Sequence, residues 1–249
     1  MAQGLNLKQA EGDPQIDQMR YFALGSLNAS SSVFYWINEQ MEMADVELTG
    51  SCRQTFHLYE HQMKACDPLN IARLAHSKKR VSKLSDDYGL APEAEYERYR
   101  TYLSQNRVSD VLDFLFWDAG LPFAGLGIIK HPNEAPFDQN TGKQAALMQN
   151  YIEYNLSSHP RLRLQRLNFR LSKRYGLTKR EIEIAQLISV GMTNRDLADE
   201  LGIGLGTVKT HIMHLFVKLG IENRASLPAR IEQIAVDGSF PSTMVDRVM

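Results

Sequence analysis

The chain has 249 residues, with 28 Lys+Arg against 29 Asp+Glu, 43% hydrophobic residues and two cysteines. That length has room for one large domain and one small one, and no apolar run approaches the roughly 20 residues needed to span a bilayer. The N-terminus lacks the charged-then-apolar layout of a secretory leader, and Cys52 and Cys66 follow no metal-ligand spacing, so a cytoplasmic protein with free thiols, no cofactor and no metal is expected.

In chain order, residues 1–14 are polar, with Gly4, Gly12 and Pro14, and are expected to form a loose arm. From Gln15 to about Ala29, Ile16, Met19, Phe22, Ala23 and Leu27 share one helical face. Val33–Ile37 is β-branched and aromatic throughout, the pattern of a strand buried on both faces. Val46–Leu48 reads as a short second strand. Cys52–Ala65 reads as a helix stopped by Asp67-Pro68. Ile71–Lys83 is basic and mixed, with a run at Lys78, Lys79 and Arg80. Pro92 opens a charged helix that shows Tyr96, Tyr99 and Leu103 on one side. Val108–Trp117 and Phe123–Ile129 form a hairpin, with Gly125 and Gly127 marking close approach to the backbone. Asp138 caps a helix through about Leu156, and Pro160 stops it. These elements make residues 1–160 an α+β domain, an antiparallel sheet flanked by helices.

Residues 161–175 (RLRLQRLNFRLSKRY) are basic and read as a linker, with Arg and Leu alternating between a solvated and a packed side. Charge divides the chain at this point. Residues 161–249 carry 14 basic against 9 acidic side chains, whereas residues 1–160 carry 14 against 20. A basic C-terminal part beside an acidic N-terminal part fits one DNA-facing domain joined to one that repels phosphate.

The most informative stretch is Leu177–Leu227. Thr178 with Glu181, and Thr193 with Asp196, have the spacing of capping boxes. Ile182, Ala185, Leu187, Ile188 and Val190 give the first helix an apolar face, and Gly191 is placed to end it. Leu197, Ala198 and Leu201 turn inward on the second helix, and Gly202 makes the turn. A third helix runs from about Gly204 to Leu219, burying Val208, Ile212, Leu215 and Phe216. Helix, glycine turn, longer helix is the helix-turn-helix plan, in which the later helix enters the DNA major groove.

The residues LTKREIEI (177–184), GMTNRDLADELGI (191–203), TVKTH (207–211) and KLGIENR (218–224) resemble the C-terminal DNA-binding domain of the LuxR/FixJ/NarL class of bacterial regulators. That resemblance implies an all-α four-helix domain over 176–249, a homodimer on double-stranded DNA, and a contact with RNA polymerase. It implies base contacts from Lys209, Thr210 and Met213, with His214 beside them. It implies phosphate contacts from Thr193, Asn194, Thr207 and Lys218, with Arg195 on the same side. Two positions depart from the family pattern. Gly204 stands where Ser is usual and offers no hydroxyl, and Pro228 falls at the start of the fourth helix, where only the first turn tolerates it. More diffusely, the DPL at 67–69, the hairpin at 114–138 and the helix after it resemble the GAF/PAS-like sensor halves of LuxR-class regulators. A receiver domain fits poorly, because no parallel βαβ pattern with an acidic pair opens the chain. The Trp-Tyr-Asp-Trp set of lactone-binding domains is echoed only by Tyr59 and Asp67; the region expected to hold its second Trp reads KLSDD (83–87).

A small-molecule effector is expected between one sheet face and the surrounding helices. The candidate wall is Phe34, Trp36, Tyr59, Phe114, Phe116 and Trp117, with Asp67 or His57 as the polar handle. The bland alternative is that these rings simply fill the core, and that Asp67 only ends a helix before Pro68. The alternative for the whole N-terminal domain is a protein-interaction or dimerisation module without a small ligand. His57 and His61 are spaced for one helix face but lack a third metal ligand. No Gly-rich phosphate loop or nucleophile elbow is present, so an enzyme is not expected.

Overall fold

The computed structural model describes residues 12–38 and 40–236, which divide into two compact units, one ending at Leu156 and one beginning at Ser157. Most of the arm expected over 1–14, and the end of the chain from residue 237, lie outside the described residues.

The first unit opens with α1 (Pro14–Ser26), capped by the Asp13 carboxylate, which accepts from the backbone N–H groups of Gln15 and Ile16. Strands β1 (Ser31–Ile37) and β2 (Met43–Thr49) follow. The segment expected as one helix from Cys52 is instead broken into a 3-10 turn (Gly50–Gln54), a single α-turn α2 (Phe56–Leu58) and a π-turn (Tyr59–Met63). Next come α3 (Ile71–Ser77), β3 (Val81–Lys83), α4 (Leu84–Asp87), α5 (Glu93–Gln105), β4 (Asp110–Asp118), β5 (Leu121–Lys130) and α6 (Thr141–Ser157).

Among the described residues the five strands form one antiparallel sheet in the order β2-β1-β5-β4-β3. The fold is therefore α+β, as the segregation of strands and helices requires. The short edge strand β3 lies inside the basic 71–83 stretch. Lys78 takes a left-handed conformation that turns α3 into it. The Lys78–Lys79–Arg80 run is exposed; Lys79 pairs with Asp87 and Arg80 with Glu153.

Register decides what each face of the sheet carries, because side chains alternate along a strand. Tyr35, Gly125 and Leu115 are cross-strand neighbours, as are Val33, Gly127 and Asp113; this face meets α2, α3 and α5. The alternate residues Phe34, Leu126 and Phe114, with Trp36, Ala124 and Phe116, point to the other face. Here Phe34 packs edge-on against Trp36, and Phe116 lies beside Phe123. Helix α1 lies against β1 and β5, and α6 is tied to β4 by Gln149, whose side chain donates to the Leu115 carbonyl.

The second unit is helical throughout: α7 (Pro160–Lys173), α8 (Lys179–Ser189), α9 (Asn194–Leu201), α10 (Leu205–Leu219) and α11 (Leu227–Val236). The basic 161–175 segment is thus helix α7, which buries Leu162 and Leu171 and packs against α8 and α11. Arg170 donates from its guanidinium to the carbonyls of Ile234 and Ala235. Thr178 and Thr193 both close the reciprocal capping boxes expected of them. Gly191, Gly202 and Gly220 take positive φ at the three helix ends, where a Cβ would be strained. Pro228 sits in the first turn of α11, where its missing N–H leaves no helical bond unmade. None of the described helices is long and apolar enough to cross a membrane.

Candidate functional site: a DNA-facing helix and an acidic cavity

In the second unit, α10 is anchored by Val208, Leu215 and Leu219, all buried, with Ile212 and Phe216 half-buried against the same core. Helical spacing then turns Thr207, Lys209, Thr210, Met213 and His214 outward, and all five are exposed. Thr210 bonds back to the Gly206 carbonyl at 3.1 Å, which holds its rotamer. Gly204 caps the helix with no side-chain hydrogen bond.

The remaining expected DNA contacts are placed differently. Thr193 spends its hydroxyl on the α9 cap, accepting from the Asp196 N–H at 3.3 Å. Asn194 accepts from Arg224 at 3.3 Å, while Arg195 is exposed. Lys218 is half-buried and donates to Glu181 at 2.6 Å, an ion pair inside the unit. Burial would raise the Glu181 pKa, but the Lys218 ammonium and the bonds from Thr178 outweigh it and hold the carboxyl below its usual range. Arg224, quoted above only within the KLGIENR match, also donates to the Met192 carbonyl. It thereby fixes the start of α9, a role that only the three-dimensional contact reveals.

The first unit holds a cavity between the Tyr35 face of the sheet and α2, α3 and α5. Its interior leaves about 80 Å³ for the centres of water-sized molecules, room for several waters or a compact ligand. Two glycines on β5 open the sheet face. A Cβ on Gly125 would strike the Tyr35 ring at 2.3 Å, and one on Gly127 would lie 3.3 Å from an Asp113 carboxylate oxygen.

Of the residues expected to line a pocket, Tyr59 and Asp67 do so. Phe34, Trp36, Phe114 and Phe116 lie on the opposite sheet face, where alternation makes them core under α1 and α6. Trp117 packs against the cavity-side core without lining the cavity. His57 is exposed beside His61, their rings 4.3 Å apart. Among the described residues no cluster of three metal-ligating side chains occurs. Cys66 is free and buried in the same core.

The cavity's chemistry comes mainly from residues outside the expected set. Rings follow one another along one wall: Phe56 to Tyr59 at 5.9 Å, Tyr59 to Tyr99 at 6.4 Å and Tyr99 to Tyr102 at 5.9 Å. Tyr59 donates its hydroxyl to Asp67 at 2.8 Å, the Leu69 N–H donates to the other oxygen at 2.8 Å, and Tyr99 adds a further hydrogen bond. Burial still wins and pushes the Asp67 pKa up to about 6. Asp113, also in the wall, is raised well above its usual value by burial and by the Asp67 charge. At the rim, His131 Nδ1 lies 2.9 Å from the Arg107 carbonyl. A carbonyl only accepts, so the proton is on Nδ1, and Nε2 faces Ser31 Oγ at 2.8 Å.

Comparison with known proteins bears on both units. Residues 176–229 match the family described as bacterial regulatory proteins, luxR family. The chain is similar to the monoamine regulon transcriptional regulator of Klebsiella aerogenes, 24% identical over 201 residues, which are 81% of this chain and 83% of that one. It is similar over a shorter stretch to the transcriptional regulatory protein LiaR of Bacillus subtilis, 50% identical over 48 residues, 19% of this chain and 23% of that one. Both are transcriptional regulators rather than enzymes. Among solved structures it is similar to SdiA of Escherichia coli, with a TM-score of 0.44 at 14% identity, covering 89% of this chain and 91% of that one.

Proposed function

Because residues 176–229 belong to the luxR family and make the chain a LuxR-type transcriptional regulator, we propose that α10 reads duplex DNA under the control of a small molecule held in the first unit. The observation that carries the DNA half is the division of α10. Three buried anchors fix its angle, and the exposed set Thr207, Lys209, Thr210, Met213 and His214 presents donors and a methyl-contacting side chain to base edges and phosphates. Thr193, Asn194 and Lys218 act from behind, holding the reading helix in place, and Arg195 reaches phosphate.

The effector half is supported by the cavity. An effector there shifts an equilibrium between DNA-competent and incompetent arrangements by binding one of them better. The Klebsiella aerogenes relative, by its name a regulator of a monoamine regulon, is consistent with metabolite control. A homodimer is supported by the exposed apolar side chains Phe22 on α1 and Leu147, Tyr151 and Tyr154 on α6; Phe22 and Tyr151 meet edge-on at 5.6 Å. Two copies then read a two-part site with half-sites about 10 bp apart, and the same assembly contacts RNA polymerase. The same exposed face also favours a second reading, in which the first unit is only a dimerisation or protein-docking module.

Selection from a randomised duplex library, followed by anisotropy titration of the full chain, tests DNA reading. A recovered two-part motif is expected; uniform binding to every duplex would remove sequence reading. A thermal-shift screen of metabolites, acyl-homoserine lactones included, tests effector control. A hit at about 100 times its dissociation constant adds roughly 2.7 kcal/mol; a blank screen beside intact DNA binding favours the docking reading.

A further inference from the structure

The cavity carries two carboxyl groups with very different company. Asp67 is fully engaged by Tyr59, Tyr99 and the Leu69 N–H. Asp113 is 8% exposed and lines the cavity, and its carboxyl makes no hydrogen bond to any described residue. Its cross-strand neighbour Ser82 does not reach it, since the Ser82 hydroxyl is itself buried without a partner. A buried polar group without a partner is costly, and a carboxyl beside another carboxyl more so.

The surroundings narrow what would satisfy it. Among the described residues no Lys or Arg lines the cavity. Arg73, whose charge lowers the Asp67 pKa, is occupied by the Ala65 and Asp67 carbonyls and by Glu95. An anionic ligand would therefore meet two acids, with only the His131 imidazole at the rim to oppose them. Beside aliphatic side chains the lining carries the rings of Tyr35, Phe56, Tyr59, Tyr99 and Tyr102, and π-faces attract a cation that has shed its water. We propose that the cavity takes a small organic cation, a protonated amine on a compact apolar body, with its charge held between Asp113 and Asp67 and its body against Phe56, Tyr59 and Tyr99. The raised pKa of both carboxyls agrees: no positive charge lowers that of Asp113, and at Asp67 burial outweighs Arg73. This inference rests on the reading of the first unit as an effector site, and it names the ligand's charge class.

The test uses the full chain and three matched series: butylamine and phenethylamine, the corresponding alcohols, and the corresponding carboxylic acids. Thermal shift and calorimetric titration are read for the wild type and for Asp113→Asn. Because the Asp113 carboxyl bonds to no described residue, the Asn variant is expected to keep or raise the wild-type melting temperature, so a loss of binding there is not a loss of folding. Amines are expected to bind at least tenfold more tightly than their alcohols and acids, and Asp113→Asn to lose at least tenfold of that affinity. Alcohols or lactones binding as well as amines would overturn the inference and leave the effector reading standing. Binding of no series, with lactones also silent, would overturn both.

Discussion

The two units bury acidic side chains by opposite rules. In the second, Glu181 is buried, yet the Thr178 backbone, the Thr178 hydroxyl and Lys218 all donate to it. Asp196 closes the second capping box in the same way. In the first, Asp67 keeps three donors but no directly bonded cation, and Asp113 keeps none. The difference teaches where a ligand could add something: the Glu181 carboxyl of the helical unit is paired within the fold, whereas the Asp113 carboxyl of the α+β unit bonds to no described residue.

The largest effect that would sharpen this contrast is Val208→Asp. Val208 is fully buried under α10, and an unpaired charge there costs more than about 4 kcal/mol. DNA binding is expected to vanish while the first unit keeps its own calorimetric transition; loss of both transitions together would break the division. Next in size is the dependence on pH. A carboxyl raised in the folded state destabilises as it ionises, so the first unit is expected to lose stability as pH rises from 3.8 through about 6, roughly 3 kcal/mol from Asp67 alone. Asp113 extends the loss to higher pH. Glu181 has the opposite sign: its stabilisation is full above the unfolded value of 4.5 and is lost as pH falls through its lowered folded value. Calorimetry across this range, with Val208→Asp identifying the transitions, checks it, and transitions that move together would contradict it.

Lys209→Ala tests the exposed face of α10. It is expected to cost about 1–3 kcal/mol of DNA affinity and to relax sequence preference at one position; unchanged affinity would remove Lys209 from the reading set. The smallest effect is that of Thr193→Ala, about 1 kcal/mol of stability through the lost cap, measured by chemical denaturation of the second unit. If Thr193 contacts phosphate as well, DNA affinity falls by more than the stability change explains.

The second unit was legible because its signals are local. Capping boxes, left-handed glycines and a helical apolar period each sit within a few residues of what they determine. Even the tolerated Pro228 could be placed from the sequence. The first unit was legible as strands and helices but not as a site. Strand β3 has three residues inside a basic stretch, too short for any period to show. The 50–63 segment has a helix's composition, but it packs as 3-10, α and π turns around the cavity. A strand buried on both faces hides which rings point where, so Phe34 and Phe114 were expected in the wall and Tyr35 was not. The available signal was Asp113, a lone acid in the apolar run VLDFLFW. Tyr99 and Tyr102, three residues apart on a charged helix, were the second.

The most direct test of the account is the affinity of the full chain for its selected duplex, measured by anisotropy with the best-binding amine absent and then saturating. A change of at least fivefold is expected in the wild type and none in Asp113→Asn. Equal affinities in the wild type, with calorimetry showing the cavity filled, would contradict control of DNA reading by the first unit.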